Sequence, residues 1–273
     1  MKVLAIVNQK GGVGKTTTAV TVAHGLALRG LRVLLVDLDA QGNCADALGI
    51  KKWNGVYAWL ALGTPLGPPT RGGKGEGVAR TVREGFDLVA SDKTTVKAKK
   101  IINGESFSER VLRGALDALH GAYDIVVLDS APGADVLQIN ALVAASHFII
   151  PVSLAHLATV GARDMLGTVA SLKRVGAFQG QFLGILPTMW ERTTKEGHAQ
   201  LRGIAEAFGK MVYPPIPIDV KAREAPGHGK TLWEYAPGCR ALRGTPLNPP
   251  TRGGRRVGGY EKVVTRVVDE VGL

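Results

Sequence analysis

The sequence predicts a three-layer α/β fold, a mostly parallel twisted sheet with helices on both faces. Three observations carry this. Short apolar runs alternate with helix-patterned segments along the chain, and parallel strands joined in this way need right-handed crossovers. Runs such as 125–129 (IVVLD) and 148–152 (FIIPV) are apolar at consecutive positions, as in strands buried on both faces. Finally, 36 glycines and only 5% aromatic residues in 273 suit a small-residue core with tight loops.

The elements follow in order. Residues 3–8 form a short apolar strand that runs into a Gly-rich turn. Residues 15–29 then place Ala19, Val22, Ala23, Leu26 and Ala27 at helical spacing, and Gly30 closes the helix. Residues 32–37 make a second buried strand, which completes the strand–loop–helix–strand start of a parallel sheet. Further strands are expected at 86–90, 124–129, 148–152, 182–187 and 211–216. Further helices are expected at 108–120, 137–146, 158–175, 194–208 and 260–271. The whole chain, 1–273, reads as one domain. Two segments interrupt it: GTPLGPPTRGG at 63–73 and GTPLNPPTRGG at 244–254 agree at ten of eleven positions. Prolines and glycines break helix and strand alike, so both copies are expected to be surface loops without regular structure. Two short copies do not make a solenoid.

Composition excludes several classes. With 45% apolar and 21% charged residues, the chain is not disordered. No apolar stretch approaches the ~18 residues needed to span a bilayer, and 3–7 is too short for a signal peptide. The two cysteines, Cys44 and Cys239, cannot form a disulfide framework, so the chain reads as cytoplasmic. The six histidines show no metal-ligand spacing. The net charge of +11 favours an anionic partner. The excess lies toward the ends: 182–273 carries 14 Lys/Arg against 9 Asp/Glu, whereas 124–181 carries 3 against 4.

The sharpest signal is Lys10-Gly11-Gly12-Val13-Gly14-Lys15-Thr16, set between a strand and a helix. Glycines let the backbone curl until several N–H groups face one anion, and the helix N-terminus adds favourable partial charge. Lys15 can then reach the β- and γ-phosphates of a nucleotide while the Thr16 hydroxyl ligates Mg²⁺. Asp37, Asp39 and Asp129 end two other strands, and ligands in open α/β sheets bind at that carboxyl edge.

A strict phosphate loop has glycine six residues before its lysine. Here that position is Gln9, and a second lysine, Lys10, opens the loop. This variant resembles the deviant Walker A motif of the ParA/MinD superfamily of P-loop ATPases. LLVDLDAQGN at 34–43 is similar to that family's switch I, and VVLDSAPG at 126–133 to its Walker B strand, with Gly133 in a mobile switch II. LQINAL at 137–142, IIPVSLAHLATVG at 149–161 and IPIDVKAREAPGHGKTLWEYAP at 216–237 resemble the Soj/ParA partition branch.

The resemblance implies a P-loop NTPase fold, ATP and Mg²⁺ as cofactors, and an ATPase that is slow without its partner. It implies that Gly11, Gly12, Val13, Gly14, Lys15, Thr16 and Thr17 hold phosphate. Asp39 and Asp129 would serve the Mg²⁺ shell and the attacking water, with Asp37 in a supporting role. Pro187, Thr188 and Met189 would flank adenine together with Pro217, Ile218 and Asp219, with Trp190 nearby. Lys10 would reach the partner's nucleotide in an ATP-dependent homodimer. Arg192 and Lys221 would contact non-specific double-stranded DNA, giving a nucleoid-associated protein. A ParB-like centromere-binding protein would stimulate hydrolysis.

The chain departs from the family pattern in places. Ala131-Pro132 stands for two prolines, Ser153-Leu154-Ala155 for Gln-Pro-Glu, and Lys221 for arginine. No cysteine lies between Cys44 and Cys239, which excludes an iron-protein reductase of the nitrogenase type. A MinD-like membrane ATPase would need a basic amphipathic C-terminal helix. Residues 260–273, with Glu261, Asp269 and Glu270, read instead as a core-packing helix without a membrane role.

Overall fold

The computed structural model describes residues 1–273 except 68–69, 72–76, 155–157 and 247–255. In chain order the strands are β1 (Lys2–Ile6), β2 (Val33–Asp37), β3 (Thr70–Arg71), β4 (Arg80–Arg83), β5 (Phe86–Val89), β6 (Ile125–Asp129), β7 (His147–Ser153), β8 (Gln181–Thr188), β9 (Thr245–Pro246) and β10 (Arg256–Val257). The helices are α1 (Lys15–Ala27), α2 (Asn43–Ala47), α3 (Thr95–Asn103), α4 (Val111–Asp117), α5 (Val136–Ala144), α6 (Ala158–Arg174), α7 (Lys195–Phe208), α8 (Val220–Glu224), α9 (Leu232–Tyr235), α10 (Arg240–Arg243) and α11 (Tyr260–Val271).

Among the described residues eight strands form one sheet in the order β3-β4-β5-β2-β6-β1-β7-β8. Within it, β4 runs antiparallel to β5 and the other pairs are parallel. Side chains alternate across a strand, so each central strand feeds two cores. Val3, Ala5, Val126 and Leu128 pack in one core with Leu137 of α5 and Met165 of α6. Leu4, Ile6, Ile125 and Val127 pack in the other with Leu26 of α1 and Val263 of α11. Consecutive apolar residues are therefore all buried, and the three-layer expectation holds.

The register matters for function. Ile6 pairs with Asp129 and Asp37 pairs with Asp129. The carboxyl ends of β1, β2 and β6 thus stop on one row, and the loops that follow emerge side by side.

Several expectations need correction. Residues 211–216 do not form a strand. Pro214 and Pro215 lack the N–H a ladder needs, and only a single bridge, Val212 with Ile185, forms. The 108–120 helix shortens to α4 behind a single 3-10 turn at Ser108–Arg110. The two Pro/Gly segments are not wholly irregular. Thr70–Arg71 adds an edge strand beside β4, and Thr245–Pro246 pairs antiparallel with Arg256–Val257. Leu66 of the first copy is buried in a core rather than on the surface. The rest of both copies, 68–69 and 72–73 of the first and 247–254 of the second, lies outside the described residues. The described parts of α11 match 260–271, with Tyr260, Val263, Val264, Val267 and Val271 turned inward. Among the described residues no helix is long and apolar enough to cross a membrane.

Candidate nucleotide site

The loop between β1 and α1 is held from both ends. Asn8 Nδ2 donates to the Pro151 carbonyl (2.7 Å), and Asn8 Oδ1 accepts the Lys10 N–H (2.9 Å). Thr188 Oγ1 of β8 donates to the Val13 carbonyl (2.9 Å). Gly133 N–H donates to the Gln9 carbonyl (2.8 Å), joining the loop after β6 to the phosphate loop. Gly12 and Gly14 sit at φ 71° and 84°, a left-handed geometry that side chains resist. A Cβ at Gly12 would meet nothing within 4 Å, so backbone conformation rather than crowding is what favours glycine there.

Lys15 opens α1 and is buried, 7% exposed, with Nζ donating to the Lys10 carbonyl (2.9 Å). Burial lowers its pKa, while the charges of Asp129 and Asp39 pull it back up. Lys10 uses only its backbone in these contacts, and its side chain is exposed.

The carboxylates differ in kind. Asp37 is fully buried and both its oxygens are occupied: Oδ1 accepts the Asp39 N–H and Oδ2 the Cys44 N–H, each at 3.0 Å. Asp39 is half-buried, and its Oδ1 accepts the Gln41 N–H (3.0 Å). Asp129 is fully buried, and its Oδ1 has no hydrogen-bond partner among the described residues. Burial raises the pKa of Asp129, with the Thr16 hydroxyl, the Cys44 thiol and the Lys15 charge opposing.

Burial, then the neighbouring Asp129 charge, raises the pKa of Asp37 against the two N–H donors. The folded chain therefore binds a proton there that the unfolded chain has released. Stability in the nucleotide-free, metal-free protein falls as pH rises from about 5 to about 8. Asp37→Asn should flatten that fall, which denaturant melts across the range would read; an unchanged slope would clear Asp37 of the effect.

The second half of the site lies across Gly14. Three backbone bonds zip the loop after β8 to the 216–218 segment: Ile216 N–H to Pro187 O (2.8 Å), Trp190 N–H to Ile216 O (2.9 Å) and Ile218 N–H to Trp190 O (3.0 Å). Between them and the phosphate loop is a cavity lined by Gly14, Thr17, Thr188, Met189, Pro217, Ile218, Asp219 and Tyr260. Pro187 is not among its lining residues; its carbonyl serves the zipper. The Asp219 carboxylate is spent on the Lys221 and Ala241 N–H groups. Tyr260, which the sequence offered only as a helix residue, is buried here with its hydroxyl 3.0 Å from Thr18 Oγ1.

The last two candidates stand apart from this cavity. Arg192 is half-buried, and its Nη1 donates to the Pro246 carbonyl (2.6 Å). Lys221 is exposed and ion-paired with Glu224 (2.8 Å).

This geometry fits a magnesium nucleotide. Among the described residues a buried ammonium hydrogen-bonds only to a carbonyl, two loop glycines sit at positive φ, and a buried carboxylate oxygen has no hydrogen-bond partner. A family model described as an AAA domain matches residues 1–179. The chain is 39% identical over 247 residues to the chromosome-partitioning ATPase Soj of Thermus thermophilus, covering 88% of this chain and 92% of the relative. It is 34% identical to the sporulation initiation inhibitor protein Soj of Bacillus subtilis, covering 88% and 93%. The chain belongs to the Soj/ParA family of partition ATPases. A solved structure of cobyrinic acid a,c-diamide synthase from Mycobacterium smegmatis, with a bound ATP analogue and magnesium, superposes with a TM-score of 0.70 at 30% identity, covering 84% of this chain and 93% of that one. As a Soj/ParA-type P-loop ATPase, this chain takes ATP and Mg²⁺ as its cofactors.

Proposed function

We propose that two copies of this chain sandwich two ATP molecules, that the dimer binds double-stranded DNA without reading sequence, and that a ParB-like centromere-binding protein stimulates hydrolysis and so releases it. The observation that carries the reading is the contrast between two lysines of one loop. Lys15 is buried in its own phosphate loop, while the Lys10 side chain is exposed and has no hydrogen-bond or ion-pair partner among the described residues. A lysine so placed can serve a nucleotide on a facing copy. The names of the Soj relatives supply the partition role.

On this reading the backbone of Gly11, Gly12, Val13 and Gly14 cradles phosphate, with Lys15 and Thr17 beside it. Thr16, Asp39 and Asp129 hold the Mg²⁺ shell, partly through water, and Asp39 orients the attacking water. Bound Mg²⁺ neutralises charge on the transferring phosphate. Thr188, Met189, Pro217 and Ile218 flank adenine, with Pro187 and Asp219 bracing their loops. α11 spends its apolar face on the core and so offers none to a membrane.

Arg192 and Lys221 contribute to the DNA surface unequally. Arg192 keeps most of its guanidinium donors, whereas Lys221 must leave its exposed, solvent-screened pair with Glu224. Each phosphate contact releases counterions, so affinity falls steeply with salt. In an ATP-dependent shift assay, Arg192→Glu should weaken binding to unrelated sequences alike and make the salt slope shallower. Lys221→Glu should do the same to a smaller degree. Unchanged affinity and slope in the double variant would move the DNA surface elsewhere.

A further inference from the structure

One side chain outside the phosphate loop contacts the Asp129 carboxylate. Cys44 is the second residue of α2 and is fully buried. Its backbone N–H donates to Asp37 Oδ2 (3.0 Å), and its Sγ–H donates to Asp129 Oδ2 (3.4 Å). The parallel register sets Asp37 beside Asp129, and one ligand atom from each of Asp37, Cys44 and Asp129 falls within 4.8 Å of the others. Two buried carboxyl groups are thus crowded together, and Cys44 hydrogen-bonds to both.

The bonding is uneven. The thiol engages Oδ2, while Oδ1 of the same carboxylate stays buried with no partner among the described residues. We infer that Cys44 is a positioning residue: its thiol fixes the Asp129 rotamer so that Oδ1 is presented to the Mg²⁺ shell, and its backbone N–H keeps Asp37 from competing. The inference rests on the reading of Asp129 as a Mg²⁺-shell residue. It ties the start of α2, in switch I, to the end of β6. A thiol is a weak donor, but outer-shell partners commonly set metal affinity by about 10- to 100-fold.

The test compares Cys44→Ala, which removes the donor, with Cys44→Ser, which keeps one. Binding of a fluorescent ATP analogue is followed without turnover as MgCl₂ is raised. Cys44→Ala should raise the Mg²⁺ concentration at the binding midpoint roughly tenfold, the low end expected for an outer-shell partner. It should leave nucleotide affinity in chelator unchanged. Cys44→Ser should stay within about twofold of the parent, since it keeps the donor.

Three results overturn the inference: no shift in Cys44→Ala, an equal shift in both variants, or a loss in Cys44→Ala that persists in chelator, which marks a packing defect. Asp129→Asn is the reference. If it shifts the midpoint while Cys44→Ala does not, Cys44 alone is wrong. If Asp129→Asn does not shift it, the Mg²⁺ reading of Asp129 fails, and the role of Cys44 with it.

Discussion

Lys15→Ala should abolish tight ATP binding while leaving the nucleotide-free protein at least as stable as the parent. The two halves of this expectation have one cause. The Lys15 ammonium is buried against a carbonyl, and burial depresses its pKa, so the charge is held at a cost to the empty fold. Removing it relieves that cost. What is lost is the cation nearest the phosphates, and leaving a buried charge without its partner typically costs roughly 3–5 kcal/mol, more than a hundredfold in affinity. Thermal melts with and without Mg-ATP read both halves at once. The parent should gain stability with ligand concentration, whereas Lys15→Ala should show no gain from an equal or higher starting point. A full ATP-induced gain in the variant would mean that Lys15 does not face the phosphates.

The phosphate loop was legible because its chemistry demands glycines at fixed spacing between a strand and a helix, and nothing distant is needed to see it. The central strands were legible for a similar reason. A strand buried on both faces must be apolar at every position, and 125–129 and 148–152 are. What escaped notice depends on partners far along the chain. Arg80–Arg83 is a half-buried strand, second from the sheet edge, whose arginines give no apolar run. α8, α9 and α10 are four or five residues long and owe their ends to local contacts, such as the Thr231–Glu234 capping box, rather than to a periodic pattern. Residues 211–216 look apolar enough for a strand, but Pro214 and Pro215 weigh more than hydropathy does. In the site, Tyr260 reaches Thr18 across 242 positions. Cys44 meets Asp129 only because β2 and β6 are neighbours in register. No spacing rule within one segment encodes either contact.

Lys10→Ala should still bind ATP but fail to form a stable ATP-dependent dimer. Within one chain Lys10 contributes its N–H to Asn8 Oδ1 and its carbonyl to Lys15 Nζ, and alanine supplies both. The monomer's cradle therefore survives, and nucleotide affinity in dilute solution should stay within a few-fold of the parent. The ammonium is what disappears. If it pairs across the interface with a phosphate, that phosphate is left desolvated and uncompensated. Truncating one partner of such a pair costs about 2–5 kcal/mol, enough to dissolve a micromolar dimer. Sedimentation of both proteins with a slowly hydrolysed ATP analogue and Mg²⁺ decides the matter. The parent should sediment as a dimer and Lys10→Ala as a nucleotide-loaded monomer. A parent that stays monomeric under these conditions would defeat the sandwich itself. A variant that dimerises as well as the parent would assign Lys10 some other use and leave the interface to residues elsewhere around the loop's mouth.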